Sequence, residues 1–164
     1  MLKDIREGPL IGMDETRVQV LKEEERKNTL LSQMWVAKGS RGERPILLFR
    51  YSPSRSGKVA LEFLSGYRGC VQTDGYKGYN LVEGNSDIEH FGCWAHARRM
   101  FEKAGKAGKN TSSAKQMLKL IGDLYRVEKE AVQKGLDHEG VFELRQEKSR
   151  PLLQKIRQRL VFTA

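Results

Sequence analysis

Two aspartates stand where this chain could do chemistry: Asp14 in "IGMDETRVQVL" and Asp74 in "VQTDGYKGYN". Each follows β-branched or apolar residues, and glycines break the second run directly after Asp74. Two carboxylates brought together repel, and one tends to take up a proton. A divalent cation removes that conflict: Mg²⁺ accepts one or two carboxylates and keeps its other positions for water or phosphate oxygens. Taken singly, Asp14 also reads as an edge-strand charge and Asp74 as a helix N-cap. Glu15 alternates to the opposite strand face and so falls outside the pair.

A second constellation is Cys93 and His96, whose Cys-x-x-His spacing a zinc site can use. A structural zinc site needs four ligands, and His90 and Cys70 are the residues that would complete it. The alternative is that Cys93 and Trp94 pack at a strand end while His96 orients a neighbouring group or contacts a ligand beside the aspartates. Lys77, Arg98 and Arg99 could hold the phosphates of a nucleic-acid backbone or be ordinary surface charge. Tyr76 and Tyr79 could stack on a base, but burial against a sheet suits them better.

The elements that must position these groups change period along the chain. Residues 9–21 alternate, with Leu10, Gly12, Asp14, Thr16, Val18 and Val20 on one side; after a charged turn, 29–39 and 44–52 give two more strands. Short turns between them predict an antiparallel meander. Residues 54–67 read as a short helix closed by Gly66, 69–74 as a fourth strand and 87–94 as a fifth. From Ala95 on the pattern is helical: 96–109, 112–135, and 149–162, with Pro151 in the first turn of the last. Residues 103–113 are the best linker. Three antiparallel strands followed by helix-flanked additions predict an α/β fold of the ribonuclease H-like type, with a mixed five-stranded sheet and a helical C-terminal insertion. In that order the strands bearing Asp14 and Asp74 are neighbours.

Composition sets the class. With 38% hydrophobic and 31% charged residues the chain reads as globular. No run approaches the ~20 apolar residues of a membrane span, and the N-terminus has no secretory signal pattern. Two cysteines are too few for a disulfide framework and suggest a reducing, cytoplasmic setting. Of the net charge of +9, residues 1–94 contribute +1 (14 Lys and Arg against 13 Asp and Glu) and residues 95–164 contribute +8 (16 against 8). That basic half would attract polyanions, nucleic acid first among them.

Three segments in order, "GMDETRVQVL", "VQTDGYKGYN" and "HFGCWAHARRMFEKA", resemble the catalytic core of bacterial insertion-sequence-66 transposases. The resemblance implies a ribonuclease H-like core over residues 1–107 with a helical insertion region at 108–164. It also implies metal-dependent DNA cleavage and strand transfer at an Asp-Asp-Glu site. Asp14 and Asp74 match the first two metal-binding acids, and Cys93 with His96 matches a Cys-x-x-His motif of such families. The implied cofactor is Mg²⁺ or Mn²⁺ in a two-metal site. The implied partner is DNA, as mobile-element ends and target, on a nucleoid-associated bacterial protein. Arg17 stands where the family often has proline. The third acid and the N-terminal DNA-binding parts have no counterpart here. Glu139, Glu143 and Glu147 do not align with the missing glutamate, so the chain reads as a core fragment of little activity alone. Two rival readings are a non-catalytic DNA-binding or assembly remnant and a ribonuclease H-like nuclease. The apolar stripes of the last helices suggest a homo-oligomer.

Overall fold

The computed structural model describes residues 2–22, 26–108 and 111–161. Part of the charged turn (23–25), two linker positions (109 and 110) and residue 162 of the last expected helix lie outside the described residues. The chain divides into two compact units, Met1–His96 and Ala97–Ala164.

The first unit opens with a short helix, α1 (Leu2–Ile5), and then three strands, β1 (Leu10–Gln19), β2 (Leu31–Arg41) and β3 (Arg44–Ser52). Helix α2 (Lys58–Phe63) leads to β4 (Gly69–Thr73). A 3₁₀ turn (Lys77–Tyr79) and helix α3 (Asn80–Glu83) lead to β5 (Ile88–Gly92). The strands form one sheet in the order β3-β2-β1-β4-β5. β1 and β2 pair antiparallel, as do β2 and β3, while β4 runs parallel to both β1 and β5. This is the ribonuclease H-like arrangement expected from the sequence.

Alternation decides which sheet face is covered. Ile11 and Met13 of β1, Trp35 and Ala37 of β2 and Val71 of β4 are buried in one cluster with Val59, Ala60 and Phe63 of α2 and Tyr79 and Val82. Burying each valine, isoleucine, methionine or phenylalanine of this cluster supplies about 1.5–3 kcal/mol. Asp14 lies in the opposite alternation phase, with Gly12 and Thr16, opposite Val36 of β2. The helix expected over 54–67 is shorter than its pattern, because serines at 52, 54 and 56 turn the chain locally before α2. Ser54 and Ser56 N–H groups donate to the hydroxyls of Ser52 and Ser54.

The second unit is helical. α4 (Trp94–Lys106) begins in the first unit and extends into the second, followed by α5 (Thr111–Gln133) and α6 (His138–Leu144). Met117, Leu124 and Ile156 pack with Phe101 and Leu120, and Val127, Ala131 and Leu144 form a second cluster with Val141 and Leu152. The helix expected to start near Pro151 is instead continuous with α6. A π-helical segment (Arg145–Ser149) joins α6 to α7 (Arg150–Val161). Proline at 151 has no N–H for the carbonyl of Glu147 and its ring crowds that carbonyl, which favours a locally widened turn. The linker expected over 103–113 is largely helical, since α4 reaches Lys106 and α5 starts at Thr111. Gly108 sits between them at φ 76°, a left-handed conformation that favours glycine. No described helix is long and apolar enough to cross a membrane.

Candidate functional site

Backbone register brings the two aspartates together. In the parallel pairing of β1 with β4, Leu10 lies beside Cys70, Ile11 beside Val71 and Gly12 beside Gln72. Asp14 and Asp74 each lie two residues beyond the last pair. Their side chains therefore leave the sheet on the same face at its C-terminal edge. β4 continues in parallel with β5, Thr73 lying beside Gly92. The Cys93 N–H donates to the Thr73 carbonyl at 2.8 Å, and the His96 N–H donates to the Cys93 carbonyl at 3.1 Å. That sets His96 in the first turn of α4 beside the same edge.

Ligand atoms of Asp14, Asp74 and His96 all lie within 4.8 Å of one another. His96 Nε2 is 3.3 Å from Asp14 Oδ2. The other ring nitrogen, Nδ1, is buried and has no hydrogen-bond partner. Asp14 Oδ1 accepts the Glu15 N–H at 2.9 Å, and Asp74 Oδ1 accepts the Tyr76 N–H at 2.9 Å. Two carboxylates and an imidazole with an unmatched nitrogen make a donor set that fits a divalent cation of the Mg²⁺ or Mn²⁺ kind. The oxygens suit either ion, and the imidazole favours the transition metal.

The other residues singled out in the sequence fall elsewhere. His90 Nε2 is 2.8 Å from the Thr73 hydroxyl and its Nδ1 lies 3.4 Å from Glu83. Cys70 Sγ contacts Glu89 at 3.8 Å. Among the described residues, Cys70, His90, Cys93 and His96 form no common cluster, and Asp14, Asp74 and His96 are the group able to share a metal. The reason is register: Cys70 lies beside Glu89 and His90 beside Val71, one step apart and so on alternate faces. Cys93 is half-buried, and Trp94, the first residue of α4, keeps 38% exposure. Tyr79 is buried in the core, and Tyr76 packs against it with the rings nearly perpendicular. Lys77 is exposed just after Asp74. In the second unit, Arg98 pairs with Glu102 at 3.1 Å and Arg99 is exposed.

One charged group escaped the sequence reading. Glu15 does alternate away from Asp14, but its side chain is only 1% exposed. Arg55 Nε donates to its Oε1 at 2.7 Å, and the Tyr79 hydroxyl donates to its Oε2 at 2.5 Å. Burial, followed by the hydrogen bond to Glu15, pushes the Tyr79 hydroxyl far above its ordinary pKa, so it stays a donor. The signal was available: a carboxylate facing a core requires a cation and hydrogen-bond donors.

Residues 1–162 match the family model described as "Transposase IS66 family". The chain belongs to the IS66 transposase family. Among its relatives, the uncharacterized protein y4qI of Sinorhizobium fredii (strain NBRC 101917 / NGR234) is 30% identical over 163 residues, covering 91% of this chain and 29% of that protein. The uncharacterized protein y4jD of the same strain is 28% identical, covering 98% of this chain and 33% of that one. The IS66-family chain thus spans roughly a third or less of the length of these relatives. A chain in the cryoEM structure of a simian T-cell lymphotropic virus intasome in complex with PP2A regulatory subunit B56 gamma is similar at 14% identity. Its TM-score is 0.39, covering 84% of this chain and 46% of that one. At that level the fold rests on the strand order, not on the likeness.

Proposed function

We propose that this chain carries the metal-binding aspartates of a DNA transposase core, acting in cleavage and strand transfer at mobile-element ends. The observation that carries the reading is the meeting of Asp14 and Asp74 with His96 at one sheet edge, their ligand atoms within 4.8 Å. The two carboxylates would hold a divalent cation, Mg²⁺ or Mn²⁺, with His96 as neighbour or third ligand. When bound, such ions activate an attacking oxygen and stabilise a leaving one at a phosphodiester.

The protein's own part is placement. The Tyr76 and Glu15 N–H groups fix one oxygen of each aspartate. His96 Nε2 sits against the second oxygen of Asp14. Lys77, exposed three residues after Asp74, would meet a DNA phosphate. Arg98 and Arg99 serve the same purpose in the second unit. No third carboxylate joins the cluster among the described residues. Glu139, Glu143 and Glu147 are left as helix-surface charges, and we expect metal binding to be weak and joining by this chain alone to be slow.

The test is to incubate the purified chain with labelled element-end duplex and Mn²⁺ or Mg²⁺. The expected result is cation-dependent nicking at low rate, lost with chelator and in Asp14→Asn and Asp74→Asn. Cleavage indifferent to chelator and to both substitutions would overturn the reading. DNA binding with a steep salt dependence but no response to either aspartate or cation would favour a non-catalytic role for the basic second unit.

A further inference from the structure

The two residues whose N–H groups hold the site carboxylates are also tied together by their side chains. Glu15 follows Asp14 and donates its N–H to Asp14 Oδ1. Tyr76 lies two residues beyond Asp74 and donates its N–H to Asp74 Oδ1. Sixty-one positions separate Glu15 from Tyr76, and two side chains bridge them: Tyr79, with its hydroxyl on Glu15 and its ring edge-on to Tyr76, and Arg55, from the turn before α2. Its Nε and second guanidinium nitrogen reach Glu15 Oε1 at 2.7 and 2.5 Å. Its guanidinium carbon lies 3.7 Å from the centroid of the Tyr76 ring, a stacked cation–π contact. The Tyr76 hydroxyl closes the circuit by donating to the Arg55 carbonyl at 2.7 Å.

Two glycines let these segments approach. A Cβ at Gly57 would sit 2.0 Å from the Gly78 carbonyl oxygen, and one at Gly78 would sit 2.2 Å from Tyr76 Cε1. The Tyr76 ring is thus confined on one side by a guanidinium and on another by a backbone that only glycine allows. Burying a carboxylate costs stability unless it is fully paired, so a buried Glu15 is an expensive way to fill a core position. Holding the two aspartate-bearing segments in one geometry gives it a purpose.

We propose that Arg55 is a positioning residue of the metal site, linking Glu15 to Tyr76 so that Asp14 and Asp74 keep a fixed separation. The proposal rests on the reading of the two aspartates as metal ligands. The Arg55 guanidinium feels the charge of Asp74, but its hydrogen bonds go to Glu15 and its face to Tyr76, so it bears on the aspartates' positions through the residues that hold them. Partners of this indirect kind commonly change metal affinity about 10–100-fold when removed. Lysine at 55 would keep a charge for Glu15 but lose the planar, two-pronged contact and the stacking.

The experiment measures Mn²⁺ binding by the electron paramagnetic resonance signal of free Mn²⁺, with a thermal melt of each chelator-treated protein as the check on folding. The variants are Arg55→Lys and the double variant Glu15→Gln/Arg55→Met, which removes both charges together and strands neither. Asp74→Asn is the control for the site. The expected result is saturable binding by the wild type, lost in Asp74→Asn. Affinity should fall about tenfold or more in the double variant and by a smaller factor in Arg55→Lys, with cooperative melting retained. Unchanged affinity in both Arg55 variants, with binding still dependent on Asp74, overturns the positioning role and leaves the metal site standing. Absence of binding by the wild type, or its persistence in Asp74→Asn, overturns the metal site and the positioning role with it.

Discussion

Asparagine at position 74 is expected to abolish cation-dependent stabilisation without destabilising the metal-free protein. The argument is electrostatic. The ligand atoms of Asp14 and Asp74 lie within 4.8 Å. Two unit charges at that distance repel by ~3.5 kcal/mol at an effective dielectric of 20 and by ~0.9 kcal/mol in water. The Asp14 side chain is 46% exposed, which places the pair near the screened end of that range. Removing one charge therefore relieves about 1 kcal/mol of strain in chelator, offset in part by a weaker bond from the Tyr76 N–H. A cation at 100 times its Kd would add ~2.7 kcal/mol to the folded wild type. For a unit of about 100 residues that corresponds to a rise in Tm of ~10–20 °C. Thermal melts monitored by circular dichroism across a Mn²⁺ titration give both quantities. A wild type whose Tm ignores Mn²⁺, or an Asp74→Asn protein whose Tm still climbs with it, would refute the reasoning.

Three other outcomes follow from the geometry. Glu15→Ala leaves the Tyr79 hydroxyl without its acceptor and Arg55 without its carboxylate; a loss of about 3 kcal/mol in urea denaturation is expected, and Glu15→Gln should lose less. Gly57→Ala drives a methyl group to 2.0 Å from the Gly78 carbonyl oxygen, so a lowered Tm together with weakened Mn²⁺ binding is expected, because the displaced backbone leads directly to Tyr76. In the second unit, hydrogen bonds from Lys134 and then Lys148 lower the Glu130 carboxyl from 4.5 to about 2. A depressed carboxylate supports the fold above its ordinary pKa and loses that support as pH falls from 4.5 toward 2, so an NMR titration should place its midpoint near 2, and Lys134→Ala/Lys148→Ala should return it toward the usual range.

The fold was legible because its information is local. Alternation marks the strands, the 3.6-residue period marks α5, and short turns between β1, β2 and β3 allow little besides a meander. The meeting of Asp14 and Asp74 was legible for a related reason: once β1 and β4 are parallel neighbours, residues at matched positions just past the end of their pairing share one face. What stayed hidden depends on partners distant in sequence. Arg55 lies 40 positions from Glu15, in a stretch that the sequence pattern assigns to the start of a helix and that folds instead as a serine-rich turn. Its role appears when the turn folds over the ring of Tyr76. His90 and Cys70 entered only as the residues that would complete a zinc site begun by the Cys93–His96 spacing, because spacing is visible in a sequence and strand facing is not. The π-helical segment at Arg145–Ser149 was likewise obscured, since Pro151 in a first turn and Pro151 inside a widened helix give the same residue pattern.

The parallel alignment of β1 with β4 has a consequence for how such a protein tolerates change. The excursion from one acid to the other leaves the sheet margin and returns to it, so residues added at the tight bend between Arg41 and Arg44 would lengthen a hairpin while both acids stay where they are. A single deletion within Gly69–Thr73 is a different matter. It would rotate every later side chain of that strand by half a turn and send the second acid into the hydrocarbon interior. Lineages carrying this core should therefore vary freely in hairpin length and hold the length of that five-residue strand constant.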